Sequence, residues 1–87
     1  MPELSKIEKT FAFRLRAILE SKKGNWEFQE LHDTIYNLTL EKSISASQEY
    51  RKKTQYRLAI LQIKGNFAQL LKYAWNIIMD ADGFGVI

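Results

Sequence analysis

Apolar side chains at positions 4, 7, 11, 15, 18 and 19 recur three or four residues apart, the repeat of one helical face. This spacing predicts a first helix over about Glu3–Lys22. Gly24 closes it, since glycine takes the left-handed conformation at a helix end at little steric cost. Asn25 is the expected cap of a second helix over about 26–42, with Glu27 favourable in its first turn and Phe28, Leu31, Ile35 and Leu38 on one stripe. Ser43 to Ser47 reads as a serine-rich connector. Ser45 and Gln48 have capping-box spacing, so a third helix is expected over about 47–64. Gly65-Asn66 repeats the stop and the cap before a fourth helix over about 67–79, and 80–87 reads as an irregular tail. A single long rod kinked at Gly65 is the alternative to separate third and fourth helices. The expectation is an all-α fold, a small bundle of three to four helices forming one domain over 1–87.

A faint internal echo crosses this pattern. Arg14-Leu15-Arg16-Ala17-Ile18-Leu19 leads into Lys23-Gly24-Asn25-Trp26, and Arg57-Leu58-Ala59-Ile60-Leu61 leads into Lys64-Gly65-Asn66-Phe67. A duplicated helix-turn-helix unit accounts for this. Chance accounts for it nearly as well, because these residues are common in helices and Gly-Asn is a natural joint.

The faces differ in character. Helix one gathers Leu4, Ile7, Phe11, Leu15 and Ile18 on one side and leaves Phe13 opposite, among Lys6, Lys9 and Arg16. Phe13 is either a stray exposed ring or a stacking or subunit contact. Helix three carries two apolar seams: Thr54, Leu58 and Leu61 form one, and Tyr56, Ala59, Ile60 and Ile63 the other. Lys53, Arg57 and Lys64 fill a strip between them, about 16 Å long from end to end. A helix with two apolar faces is buried on both or packs against a second molecule. Helix four has a core stripe of Phe67, Leu70, Leu71, Ala74 and Ile78, and a polar face of Gln69, Lys72 and Asn76 beside Tyr73. Amide and ammonium groups of that kind can bond phosphate or sugar oxygens without reading sequence.

Charge sharpens the picture. Arg51 to Met79 holds six basic residues, Arg51, Lys52, Lys53, Arg57, Lys64 and Lys72, and no acidic one. Met1 to Tyr50 holds seven basic and eight acidic side chains, so the net charge of +3 originates in one segment. That segment also carries Tyr56, Phe67, Tyr73 and Trp75, with Tyr50 just before it. Cations beside flat rings suit a phosphate backbone with exposed bases. The plainer reading is a bundle with a lysine-lined edge.

Catalytic and metal constellations do not emerge from the pattern. His32 is the single histidine, and its neighbour Asp33 is expected to point away from it on a helix. It reads as a surface or core-edge residue. Glu27 and Glu30 lie one turn apart, but Gln29 stands where a Glu-x-x-His metal motif needs glutamate. Asp80-Ala81-Asp82-Gly83 looks like the start of a calcium loop, yet the residues after it bring no further oxygen side chains. Ser43, Ser45 and Ser47 fit capping better than nucleophilic roles. No catalytic residue, metal ligand or cofactor is expected. There is no cysteine, which fits a cytoplasmic protein. The longest apolar run, Leu58 to Leu61, is far short of a membrane span, and the opening residues show no signal-peptide core.

Tyr50-Arg51-Lys52-Lys53, Tyr56-Arg57-Leu58-Ala59-Ile60 and Phe67-Ala68-Gln69-Leu70-Leu71 together resemble the helical end of large subunits in CRISPR Cascade-type effectors. In several subtypes that end is also made separately as the small subunit. The resemblance covers residues 50–79. It implies a non-enzymatic structural subunit, present in several copies beside other subunits of an RNA-guided complex. Its partners would be guide RNA, target DNA and the displaced non-target strand, with no membrane involved. Carried onto this chain, the strand contacts would be Arg51, Lys52, Lys53, Arg57 and Lys64. From the residues themselves, Lys72 joins the nucleic-acid-binding set, and Phe13, Tyr50 and Tyr56 are candidates for stacking or packing. The competing expectation is a helical protein–protein adaptor or antitoxin-like module whose basic segment docks an acidic protein. A helix-turn-helix reader using Asn66, Gln69 and Lys72 ranks third, since the core spacing suits a bundle better.

Overall fold

The computed structural model describes the backbone over residues 2–82 and the side chains over residues 10–79. Four α-helices follow one another: α1 (Pro2–Lys22), α2 (Phe28–Leu38), α3 (Gln48–Lys64) and α4 (Phe67–Asp82). Among the described residues there are no strands. The side chains of Leu4, Lys6, Ile7 and Lys9, and the tail beyond Asp82, lie outside the described residues. α1 packs most extensively on α4. The other neighbouring pairs are α1 with α2, α2 with α3, and α3 with α4, while α2 and α4 also meet across the middle. α1 and α3 are therefore the diagonal pair of the bundle.

The core is built from the stripes that the sequence periodicity picks out. Phe11 and Leu15 of α1, Leu31, Ile35 and Leu38 of α2, Leu58 of α3, and Leu70, Ala74 and Ile78 of α4 are all buried. Each fully buried aliphatic side chain contributes roughly 1.5–3 kcal/mol of transfer free energy. Phe67 and Leu71 are partly buried against this cluster, and Ile77, which lies outside the expected stripe, belongs to it.

The joints depart from expectation in informative ways. α2 is shorter than the expected 26–42. Asn25 does not cap it, because its N–H donates to the Lys22 carbonyl at 3.0 Å and so belongs to the turn leaving α1. Glu27 occupies the N-cap position with extended backbone and no side-chain cap bond. At the other end the Thr39 hydroxyl donates to the Tyr36 carbonyl at 2.6 Å, and the N–H groups of Thr39, Leu40 and Glu41 each fold back to a carbonyl three residues earlier. The chain leaves the helix here because Ile44, 2% exposed, is drawn into the core. Ser47, rather than Ser45, is the N-cap of α3, its Oγ accepting from the Tyr50 N–H at 3.0 Å.

α3 and α4 are separate helices. Gly65 takes the left-handed conformation at φ 65°, and its N–H donates to the Leu61 carbonyl at 2.9 Å. Asn66 caps α4 as the sequence implied, its Oδ1 accepting from the Gln69 N–H at 3.1 Å. At the corresponding α1–α2 joint two successive residues, Lys23 and Gly24, have positive φ. α4 also runs past Met79 to Asp82, so 80–82 are helical rather than part of an irregular tail.

Candidate nucleic-acid interface

α3 turns Thr54, Leu58 and Leu61 inward. Its second apolar seam is largely uncovered among the described residues: Tyr56, Ala59 and Ile63 are exposed and Ile60 is half-buried. Tyr56 is 70% exposed and Ile63 86%. Lys53, Arg57 and Lys64, all exposed, lie between the two seams within about 40° of one another around the helix. Lys52 is exposed at the N-terminal end of the outer seam itself.

The short Gly65-Asn66 joint folds α4 back beside α3, and this brings the two basic faces together. Arg57 and Leu61 of α3, with Gln69, Lys72, Tyr73 and Asn76 of α4, line an open groove of about 400 Å³. The groove thus offers a guanidinium, an ammonium and two carboxamides over an apolar floor. Tyr73 is half-buried at its edge. Burial pushes its phenol above the ordinary pKa, while hydrogen bonding with Thr54 and the charge of Arg57 pull the other way.

The electrostatics of the two halves of the bundle contrast. On the α1–α2 side three cations meet carboxylates: Arg14 pairs with Glu41 at 3.1 Å, Arg16 with Glu20 at 3.2 Å, and Lys22 with Glu30, while Lys23 and Lys42 in the connectors have no carboxylate partner among the described residues. Lys22 also sits over the Trp26 ring, 4.7 Å from its centroid. Hydrogen bonding to Lys22 lowers the Glu30 pKa. Among the described residues, no carboxylate pairs with Lys52, Lys53, Arg57, Lys64 or Lys72.

Two of the residues expected at the interface serve the fold instead. Arg51 is half-buried, and its guanidinium is occupied by four backbone carbonyls: Thr39 at 2.7 Å, Glu41 at 2.9 Å, Ile44 at 2.5 Å and Ala46 at 3.1 Å. The Thr39 and Ala46 carbonyls have no N–H partner in the connector, while those of Glu41 and Ile44 also accept from the N–H groups of Ile44 and Ala46. Four of its five N–H donors are so engaged, which leaves a single Nη2 donor. Tyr50 packs its ring edge-on against Phe11, centroids 5.5 Å apart, and is half-buried, so it fills a packing role. Phe13 is 53% exposed, but on α1, the helix diagonal to α3, and is not part of the basic face.

His32 is buried at 8% exposure and stacks on Tyr36. Contrary to the expectation that the two would point apart, its Nδ1 lies 3.2 Å from Asp33 Oδ1. Gln29 reaches the same carboxylate oxygen at 2.8 Å. The hydrogen bonds from His32 and Gln29 hold the Asp33 pKa below its ordinary value. Among the described residues, no three His, Asp or Glu side chains gather where they could hold a metal ion. Nor does any described helix have the length and apolar character to cross a membrane.

Comparison with protein-family models, with curated proteins and with solved structures gives no match. What sequence reading missed was the pairing of Arg57 with Lys72 across one groove, because the faces of helices three and four were weighed singly. The signal that joins them is the two-residue joint, which keeps the two helices neighbours in space.

Proposed function

We propose that this chain is a non-enzymatic subunit that holds the sugar–phosphate backbone of a nucleic acid on its α3–α4 face, without reading sequence. Lys53, Arg57, Lys64 and Lys72 contact phosphates, and Gln69 and Asn76 bond sugar or phosphate oxygens from the groove wall. The observation that carries this reading is the imbalance of charge. Lys53, Arg57, Lys64 and Lys72 stand exposed together without carboxylates among the described residues, whereas Arg14, Arg16 and Lys22 are paired and the unpaired Lys23 and Lys42 lie in separate connectors. An uncompensated basic ridge attracts polyanions, and the binding free energy comes largely from released counterions.

The resemblance of residues 50–79 to the helical end of Cascade large subunits gives this activity a setting. It implies a cytoplasmic RNA-guided complex in which several copies steady the guide–target duplex and the displaced strand beside other subunits. Arg51 leaves the set of strand contacts in this proposal, and Lys72 takes a central place in it. The alternative, an adaptor that docks an acidic protein, draws support from the exposure of Tyr56 and Ile63.

Charge reversal separates the two. The variant Lys53→Glu/Arg57→Glu/Lys64→Glu should retain its helicity and lose affinity for single-stranded DNA and RNA. Wild-type affinity in that variant would refute the proposal. A stable oligomer on gel filtration that ignores added nucleic acid would favour the adaptor.

A further inference from the structure

We infer that the nucleic acid held on this face is single-stranded, and that one of its bases stacks on the ring of Tyr56. The inference rests on the nucleic-acid reading above and adds the strand class and the residue that selects it. Tyr56 is 70% exposed in the middle of α3, on the seam left open among the described residues. Long side chains on a helix lean toward its N-terminus, so the ring lies over the preceding turn. Lys52 and Lys53 occupy that turn, four and three residues earlier, and both are exposed. Glu49, a turn earlier again, bounds the site. Ile60, half-buried one turn later, gives the platform an apolar edge.

A flat ring with ammonium groups beside it offers a base a π-face and the adjoining phosphates their counter-charges. From Tyr56 the surface passes Lys53 and Arg57 to the groove that contains Lys72. One strand crossing α3 in that direction can place a base on the ring and phosphates on the cations beyond it. A paired base keeps its faces inside the duplex stack and cannot use the ring. Duplex is therefore held by the cations alone.

A protein partner is the competing occupant of the seam. Tyr56, Ala59, Ile60 and Ile63 span about two helical turns. So short a patch falls well below the roughly 800 Å² per partner of a stable interface. A second copy of the chain would also bring Lys52, Lys53 and Arg57 against their own like charges.

The test uses the full chain and three probes of equal length: oligo-dT, a DNA duplex, and an abasic deoxyribose-phosphate strand that keeps the charge and lacks bases. Affinity is read by fluorescence anisotropy for wild type, Tyr56→Phe and Tyr56→Ala, with circular dichroism to verify the fold. The expected result is oligo-dT bound about ten-fold more tightly than the abasic strand by wild type and by Tyr56→Phe. In Tyr56→Ala that preference should vanish while affinity for duplex and abasic strand stays at the wild-type level. Equal wild-type affinity for oligo-dT and the abasic strand overturns the inference and leaves the nucleic-acid reading standing. A preference that survives in Tyr56→Ala overturns it too, and returns the seam to a protein partner. Failure to bind all three probes overturns both readings.

Discussion

The guanidinium of Arg51, in the first turn of α3, donates to the backbone carbonyl of Ile44 at 2.5 Å, seven residues back along the chain. The same guanidinium takes the carbonyls of Thr39, Glu41 and Ala46, so one side chain closes the whole connector between α2 and α3. Gln55 adds a 2.8 Å bond to the Thr39 hydroxyl, and Arg14 holds Glu41 from α1. Arginine suits this task because its planar fork presents five donors in fixed directions. Arg51→Ala would remove four hydrogen bonds from the connector and leave the Thr39 and Ala46 carbonyls without partners, at an expected cost of about 2–4 kcal/mol in urea denaturation. Arg51→Lys keeps the charge but cannot span the four acceptors, and should recover less than half of that loss. A cost below about 0.5 kcal/mol for Arg51→Ala, the level of an ordinary surface change, would remove the clamp from the account.

Gly65 is the other point where one residue type is required. Its φ of 65° is unfavourable for a side chain, yet a Cβ there would meet nothing within 4 Å. The penalty for Gly65→Ala is therefore conformational and not a clash, and should be about 1–2 kcal/mol. Gly65→Asn should cost less, since asparagine tolerates the left-handed region. Equal stabilities for glycine and alanine in thermal unfolding would mean that the α3–α4 joint adapts without this conformation.

Tyr73 links the groove to alkaline stability. Burial raises its phenol pKa in the folded chain above the ordinary value of 10.0, so folding disfavours the ionised form. The stabilising contribution is fully present below pH 10.0 and declines as pH climbs through the raised value. Wild type should therefore lose stability relative to Tyr73→Phe between about pH 10 and the alkaline limit of refolding, with a constant difference at lower pH. Urea denaturation of both proteins along a pH series measures this. A difference that stays flat across the alkaline range would show that Tyr73 ionises as easily folded as unfolded.

Much of the bundle was legible in the sequence because helical periodicity records which face each helix buries. Leu31, Ile35 and Leu38 form the buried stripe that their spacing announces, and the Gly65-Asn66 stop and cap occur where they were expected. The connector was not legible. Ile44 looks like one apolar residue among serines, and only the three-dimensional closure shows that it is a core residue. Arg51 was misread for a related reason. A cation next to Lys52 and Lys53 looks like part of their run, but successive helical residues point about 100° apart, and Arg51 faces the connector. The exposed seam of Tyr56 and Ile63 was legible as a second apolar face, while its chemical use depends on what lies beside it. The groove needed two helices at once, and no single-helix pattern records that.

The central claim is that exposed cations on α3 and α4 hold phosphates. Its most direct test is the salt dependence of binding to a single-stranded oligonucleotide. If Lys53, Arg57, Lys64 and Lys72 each neutralise one phosphate, the logarithm of the association constant should fall against the logarithm of salt concentration with a slope of about −3. The variant Arg57→Glu/Lys72→Glu should bind far more weakly and with a shallower slope, at unchanged helicity. A wild-type slope near zero, or a variant whose slope and affinity match wild type, would contradict the account.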